Sequence, residues 1–343
     1  MIGNVAWQRL SNSTKDAVRS ILLRKDGTYG DHDDAGSPLA SVADWADMVR
    51  YTKFYHWTGP LHYIDVRDDL IPGGCHVVAP GEDSDCHFDY ERDCPSDFCV
   101  TGAIVNYTSH LLDNGSHNTP TVVDRRNGYK GSHTPTTNHL RRSRVSDEPT
   151  VKDNPYRDSL EFVTHFVGDI HQPLHSSRTS DRGGNSIKVV FNAIMTPWSR
   201  IYRQSSQHKA WNLHSVWDDA MIDRALARDY DHQQSLFVVD LVELGQEKED
   251  LWLECSNGLS KECTSLWGEE SLQAALSWGY RNIDGSEIVA GDSLSEEYYE
   301  TRLPVVKDRL AAAGVRLAAT LELVFAGYES NKETTASMGV AAE

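Results

Sequence analysis

Several features that mark large classes of protein are missing from this sequence. No apolar run approaches the roughly 18 residues that a membrane-spanning helix requires. There is no Gly-x-Ser-x-Gly nucleophile motif, no Gly-x-x-x-x-Gly-Lys phosphate loop and no His-Glu-x-x-His zinc motif. Basic residues are few, since 33 Lys and Arg stand against 51 Asp and Glu, and the formal net charge is −18. This acidic balance excludes a protein that holds nucleic acid on a broad basic surface.

Histidine and aromatic residues are what the sequence has instead. Fifteen His accompany the excess of acidic residues, so bound metal is the obvious source of positive charge for any polyanionic partner. The 343 residues suggest one large domain or two ordinary ones. A hydrophobic content of 39%, with nine Trp and fourteen Tyr, is enough for a core and excludes global disorder.

The six cysteines predict disulfides. None forms the Cys-x-x-Cys pair of a zinc ribbon, and an even number at short spacings is typical of a secretory protein. Cys94 and Cys99, with only four residues between them, are the favoured pair. Sequons at Asn12, Asn106 and Asn114 predict glycosylation and point to the same compartment, secreted or vacuolar. The N-terminal residues, however, have neither the basic head nor the apolar stretch of a signal peptide.

Helical periodicity dominates the chain. Apolar residues recur every three or four positions over 39–49 and 303–324, which predicts amphipathic helices. Capping boxes at 13–16 and 293–296 would open two helices, the second being the long C-terminal one. The fold class predicted is therefore all-α.

The remaining segments predict one short strand and long loops. Alternating apolar residues predict the strand at 186–191, the basis for expecting a short β-hairpin. Segments 66–99 and 113–154, rich in Gly, Pro, Asp, Asn and Ser, are typical of long loops. We expect a single helical domain over 1–328 and a flexible tail over 329–343.

The clearest chemical signal lies in the segment from His165 to His175. Its helix is apolar on two faces, which predicts burial, and His165 and Asp169 lie four residues apart on one side. Pro173 should end the helix and let His175 turn back, while His171 would be exposed or lie behind the ligands. A buried imidazole and carboxylate must pair or bind a cation. From this segment alone, the two alternatives are about equally good.

A second segment repeats the geometry. His214 and Asp218 are also four residues apart among apolar neighbours, and two such buried pairs are harder to explain as core hydrogen bonds. Asp47 borders an apolar stripe, and His62 lies in a semi-buried extended segment. Alone, each is better explained as a structural residue. Together the four His and three Asp form the nitrogen and oxygen set suited to zinc, in a helical core.

At these residues the chain resembles the zinc-dependent, single-strand-specific nucleases of fungi and plants, the S1/P1 nuclease family, and is most similar to its plant branch. The resemblance runs over about residues 2–326 and implies an almost wholly α-helical fold of the phospholipase C and P1 nuclease type. The matching motifs are Ala-Asp-Trp45-Ala-Asp47, Leu-His62-Tyr-Ile-Asp65, 102–108, 165–175, Gly183-Gly-Asn185, 212–218, Thr301-Arg-Leu-Pro and Gly314-Val-Arg-Leu.

The resemblance also implies roles for single residues. The first zinc would be held by Asp47, His62, His165 and Asp169, and the second by His175, His214 and Asp218. Asp169 would bridge to a third zinc. Arg50 and Asn185 would contact the scissile phosphate beside the catalytic Asp47, although turn geometry alone would explain Asn185. Tyr63 would stack on a base while Asp65 reads its edge.

The N-terminus departs from the family pattern. Family chains begin Trp-Gly-x-x-Gly-His, where the Trp and His hold the third zinc, whereas this sequence starts about seven residues later. We therefore expect two zinc ions in the chain as written, reduced activity, and a truncated gene model as the cause. A family cysteine is also missing near Leu276, which leaves Cys75–Cys86 and Cys255–Cys263 as local pairs.

The predicted function is that of a monomeric endonuclease whose substrates are single-stranded DNA, RNA and nucleotides. Water made more acidic by the zinc cluster would supply hydroxide, and the products would be 5′-phosphorylated, with 3′-nucleotidase activity as a further expectation. Two alternatives stay open: a zinc-dependent phospholipase C, and a catalytically silent zinc-binding homologue that lacks the N-terminal ligands.

Overall fold

The structure is a computed structural model that describes residues 1–24, 26–30, 36–112, 155–191 and 211–326, and its helices confirm the all-α prediction. The α-helices are α1 Ile2–Arg9, α2 Asn12–Leu22, α3 Trp45–Val49, α4 Tyr90–Asp93, α5 Val100–Leu112, α6 Pro155–His171, α7 Leu213–Ser215, α8 Met221–Asp229, α9 Gln234–Glu247, α10 Glu249–Leu253, α11 Lys261–Ala274 and α12 Glu296–Phe325. Short 3₁₀ turns lie at Ala40–Val42, His56–His62, Asp68–Leu70, Pro95–Asp97 and Pro173–His175, and π turns at Val216–Ala220 and Ala275–Gly279.

Two small sheets hold the segments that carry the predicted ligands. Strand β1 (Ile64–Val66) pairs in parallel with β2 (Ser176–Arg178). Strand β3 (Lys188–Phe191) pairs antiparallel with β4 (Trp211–Asn212) and parallel with β5 (Ser293–Leu294). The predicted strand and hairpin correspond to β3 and its pairing with β4. The parallel sheet was not expected.

Helix α6 is buried on almost every side. Its residues Leu160, Val163, Phe166, Val167 and Ile170 have no solvent exposure. Phe162 stacks on Tyr107 of α5, with ring centroids 4.5 Å apart, and meets Trp45 of α3 edge to face at 5.0 Å. Such aromatic contacts add to the apolar area that is buried. The helix therefore presents its polar residues from inside the core.

The apolar stripe over 39–49 is divided between two short elements instead of forming one helix. A 3₁₀ turn at Ala40–Val42 precedes α3, yet Leu39, Val42 and Ala46 are all buried as predicted. Both predicted capping residues are also wrong. Ser11 caps α2 in place of Ser13, and Ser295 caps α12 because Ser293 belongs to β5.

Helix α12 packs closely on α1. A Cβ at Gly314 would lie 2.4 Å from Cγ1 of Val5, so glycine is needed for this approach. Three disulfides join Cys75 to Cys86, Cys94 to Cys99 and Cys255 to Cys263, which confirms the expected pairs. Within the described ranges, no helix combines the length and apolar character needed to cross a membrane. The predicted loop 113–154, the sequon at Asn114 and the tail 329–343 fall outside those ranges.

Candidate active site

The side chains predicted as metal ligands lie together in two adjacent groups. Within each group, one ligand atom per residue lies within 4.8 Å of the others. The first ligand group is Asp47, His62 and His165, and the second ligand group is His175, His214 and Asp218. Asp169 lies between them, with Oδ2 at 2.9 Å from His62 Nδ1 and Oδ1 at 3.8 Å from His175 Nδ1. One carboxylate therefore faces both groups.

Secondary structure explains why these distant residues meet. His165 and Asp169 project from one side of α6, and Asp47 comes from α3, which packs on that helix. His175 directly precedes β2 and His62 lies two residues before β1, so the parallel pairing of the strands brings them close together. The second ligand group is completed by α7 and the π turn that follows it, which carry His214 and Asp218.

Backbone carbonyls fix the orientation of three imidazoles. His165 Nδ1 donates to the carbonyl of Ala43 at 2.6 Å, and His175 Nδ1 donates to that of His62 at 2.7 Å. His214 Nδ1 donates to the carbonyl of Gly183 at 2.7 Å. Each Nε2 therefore faces the other ligand atoms of the site, with its lone pair available. Carbonyl partners of this kind are typical of metal-binding histidines.

The donor atoms fit a bound cation. Nε2 of His175 and Nε2 of His214 lie only 3.2 Å apart, and Oδ2 of Asp218 is 3.3 Å from the latter. Two lone pairs and a carboxylate at this separation repel unless a proton or a cation lies between them. Because nitrogen and carboxylate oxygen are the ligands preferred by zinc, the residues present match that metal.

Charges within the site shift several pKa values. Burial would lower the pKa of His165 and of His175, but nearby carboxylates together outweigh it. Asp169 with Asp47 raises the pKa of His165 to about 9, and Asp169 with Asp218 raises that of His175 to about 10. Burial would raise the pKa of Asp169, yet the imidazoles of His165 and His175 hold it well below its usual range. Burial also lowers the pKa of His62 and His214. In the metal-free site the buried carboxylates and imidazoles therefore stabilise each other's charges, and the carboxylates favour a bound cation.

The two ligand groups open into a cleft of about 750 Å³. Among the predicted ligands only His62, which is fully buried, does not line this cleft. Arg50 lines it beside Asp47, with Nη1 at 3.2 Å from Oδ1 of that carboxylate. The cleft is large enough for a nucleotide-sized ligand.

The sequence profile of the S1/P1 nuclease family matches residues 1–326. The chain belongs to the S1/P1 nuclease family. Endonuclease 1 of Arabidopsis thaliana is 34% identical over 297 residues, which cover 84% of this chain and 75% of the relative. Endonuclease 2 of the same plant is 31% identical over 334 residues, covering 95% and 88%. Nuclease S1 of Aspergillus oryzae is 29% identical over 332 residues, covering 94% and 88%.

Membership of the S1/P1 nuclease family makes this protein a nuclease of plant type whose substrates are nucleic acids. The family is zinc-dependent, which agrees with the donor atoms of the two ligand groups. The three disulfides are consistent with an oxidising compartment.

The residues predicted to bind substrate surround the same cleft. Tyr63, just before β1, and Asp65, within it, line the cleft, and so does Asn185. The side-chain amide of Asn185 donates to the carbonyl of Arg182 at 2.9 Å, and its Oδ1 accepts from the amide of Asn212 at 3.4 Å. Asn185 therefore has a fixed position close to the second ligand group.

Sequence reasoning missed two residues of this nuclease site. Arg182 lines the cleft, and its charge acts on Tyr63 and Asp65, opposing the effect of burial on their pKa values. Gln172 donates from Nε2 to Oδ1 of Asp218 at 2.5 Å. Gln172 lies inside the 165–175 motif and Arg182 directly precedes Gly183-Gly-Asn185, but only the folded arrangement shows what they contact.

His171 was expected to be either exposed or behind the ligands, and the structure buries it. Its Nδ1 donates to the carbonyl of Val167 at 2.7 Å, and its Nε2 accepts from Arg316 at 3.0 Å. Burial, together with the charges of Arg309 and Arg316, holds its pKa well below the usual range. A neutral imidazole therefore lies behind the site, turned away from the ligands.

Proposed function

We propose that this S1/P1 nuclease hydrolyses single-stranded DNA and RNA to 5′-phosphorylated products with zinc held in its two ligand groups. The facing Nε2 atoms of His175 and His214, together with the Asp218 carboxylate, are the observation that carries the proposal. The three backbone carbonyls that orient the imidazoles support it, because they prepare nitrogen lone pairs for a metal.

The first zinc would be held by Asp47, His62, His165 and Asp169, and the second by His175, His214 and Asp218. When bound, zinc lowers the pKa of a coordinated water toward 7 and neutralises charge on phosphate oxygens. These ions would also provide the local positive charge that a protein of net charge −18 otherwise lacks.

Two further groups of the chain would bind the phosphate. Arg50 keeps its charge at every relevant pH, and its guanidinium can donate two hydrogen bonds to phosphate oxygens from beside the first ligand group. Asn185 can offer an amide N–H from beside the second ligand group. Preorganised hydrogen-bond donors stabilise the negative charge that develops on the phosphate oxygens in the transition state.

Tyr63 and Asp65 would select an unpaired base. An aromatic ring in the cleft wall can stack on any base, and a carboxylate can accept from an exocyclic amine. A base must leave a duplex stack to reach this position, which explains a preference for single strands. Since the cleft would bind one base and one phosphate, the same site would release 3′-phosphate from nucleotides.

The proposal extends to the secretory pathway. The side chains of Asn12 and Asn106 are exposed, as glycosylation requires. We propose that both carry glycans and that the disulfides form in the same compartment.

A cleavage assay on the zinc-loaded full chain tests the function. Single-stranded DNA and RNA oligonucleotides are compared with a matched duplex, and the product ends are identified by mass. We expect single-strand cleavage with 5′-phosphate ends that is lost in His214→Ala but retained in Asp284→Asn, a change in an exposed turn. Release of phosphocholine from phosphatidylcholine without nucleotide release would replace the proposal with a phospholipase. Zinc binding without either activity would indicate a silent homologue.

A further inference from the structure

The turn at 179–187 carries two groups of the site on a strained backbone. Three consecutive residues, Arg182, Gly183 and Gly184, have positive φ angles of 59°, 60° and 76°. For arginine this conformation is unfavourable, so it persists only where surrounding contacts impose it. The Gly183 carbonyl accepts from His214, and Asn185 lies in the same turn.

The Asp181 carboxylate accepts three hydrogen bonds at this turn. Its Oδ1 accepts from the backbone N–H of Gly184 at 2.6 Å and from the hydroxyl of Tyr280 at 2.8 Å. Its Oδ2 accepts from Nε of Arg178 at 2.9 Å. The side chain is only 15% exposed, so these interactions are little weakened by solvent.

The partners of Asp181 are themselves held in place. Arg178 Nη1 also donates to the carbonyl of Cys75 at 3.1 Å and to Oε1 of Glu287 at 2.5 Å, and its guanidinium lies 3.8 Å from the centroid of the Tyr280 ring. Tyr280 is fully buried, and burial raises the pKa of its hydroxyl, which therefore remains a donor. Asp181 thus connects the turn to a rigid part of the core.

The 179–187 turn also packs tightly against the second ligand group. A Cβ on Gly183 would lie 2.4 Å from the carbonyl oxygen of Leu174, and one on Gly184 would lie 3.3 Å from the backbone nitrogen of His214. A small displacement of the turn would therefore move the carbonyl that sets the His214 imidazole, and would shift Asn185 with it.

We infer that Asp181 is a positioning residue that sets both the second zinc site and the phosphate contact through this turn. The inference rests on the proposed function, because it assumes that His214 binds zinc and that Asn185 binds phosphate. Asp181 itself touches neither. Its effect should reach the second ligand group and spare the first, whose residues Asp47, His62 and His165 make no contact with the turn among the interactions described here.

Zinc titration of Asp181→Ala and Asp181→Asn tests the inference. Competition with a chromophoric chelator measures both zinc affinities, and steady-state assays on a short single-stranded oligonucleotide measure KM and kcat. In Asp181→Ala the zinc in the second ligand group should dissociate more readily, by up to about the 10–100-fold loss typical when a direct partner of a metal-binding histidine is removed. KM should rise severalfold, while the affinity for the other zinc should stay unchanged.

Asp181→Asn should be intermediate, because its carbonyl oxygen can still accept from Gly184 while its amide opposes the Arg178 donor. It also carries the test if the alanine variant does not fold. Asp284→Asn is the matched control, since Asp284 accepts from the backbone N–H of Ser286 at 2.9 Å in an exposed turn away from the site.

The outcomes separate the two ideas. If both Asp181 variants match the control in zinc affinities and KM, the inference fails while the proposed function stands. An equal loss of affinity for both zinc ions, together with a lower melting temperature, would show a general loss of stability. That result would also overturn the inference. If the unaltered chain binds no zinc, the proposed function fails and the positioning role fails with it.

Discussion

His175 donates a hydrogen bond from Nδ1 to the backbone carbonyl of His62 at 2.7 Å. This contact joins the two ligand groups, because the acceptor belongs to a residue of the first and the donor to a residue of the second. It follows from the parallel pairing of β1 with β2, which aligns the ends of two segments that are over a hundred residues apart. The contact therefore fixes the position of one ligand group relative to the other.

Chelation should lower the stability of the whole protein. The ligands come from α3, α6, α7, two 3₁₀ turns and the π turn at Val216–Ala220, so zinc binding would join elements that separate on unfolding. At free zinc one hundred times the dissociation constant, each site adds about 2.7 kcal/mol to the free energy of unfolding. We expect a strong chelator to reduce the melting temperature and added zinc to restore it. Circular dichroism measures the melting temperature. A melting temperature indifferent to both treatments contradicts the metal sites.

Gln172→Leu should weaken zinc binding by the second ligand group. The substitution removes the donor that holds Oδ1 of Asp218, so the carboxylate loses its fixed orientation. Loss of such a partner typically reduces metal affinity about 10–100-fold. Isothermal titration with zinc measures the change. Gln246→Leu, on the exposed surface of α9, serves as control and should bind zinc normally.

Glu161 should make stability depend on pH. Burial raises the pKa of this α6 carboxyl to about 7, although Arg157, at 2.8 Å, partly opposes the shift. The folded protein thus holds the proton more tightly than the unfolded chain, so the stabilisation is complete below about pH 4.5 and is lost as pH rises through 7. The loss should reach at most about 3 kcal/mol.

Denaturant unfolding of zinc-saturated protein at pH 5 and pH 8 measures this effect. Glu161→Gln should reduce the difference between the two pH values, whereas Glu247→Gln, on an exposed side chain, should retain it. An unchanged pH dependence in the Glu161 variant would show that its carboxyl is ionised in the folded protein throughout this range.

Gly314→Ala should destabilise the packing of α1 on α12. The new methyl group would lie 2.4 Å from Cγ1 of Val5, and overpacking of this kind costs about 1–3 kcal/mol. Gly59→Ala is the control, because a Cβ there meets no atom within 4 Å. Urea unfolding midpoints should fall for the first variant and change little for the second. Equal midpoints would mean that α1 can shift without cost.

Local sequence patterns pointed to the candidate ligand residues but not to their convergence. Spacing of four residues inside an apolar helix marks His165 with Asp169, and His214 with Asp218, because helical geometry fixes which side chains share a face. Nothing local indicates that β1 pairs with β2. That pairing is a non-local event between three-residue strands, too short to show a strand pattern.

The errors of sequence reasoning have a similar origin. Serine is a residue type that often caps helices, but Ser293 pairs with β3 as part of a strand. Ser295 is the N-cap of α12 instead. The role of Gln172 in holding Asp218 depends on a contact across 46 positions, which no motif spacing reveals. Family resemblance supplied Asn185 and Arg50, whose positions in the cleft the local pattern alone did not predict.

The central claim is that two zinc ions occupy the two ligand groups, and anomalous diffraction at the zinc absorption edge from crystals of zinc-loaded protein tests it most directly. We predict one peak within about 2.0–2.2 Å of His175 Nε2, His214 Nε2 and a carboxylate oxygen of Asp218, and a second peak at similar distances from ligands of the first group. A map with zinc elsewhere on the protein, or with none between these side chains, would contradict the account.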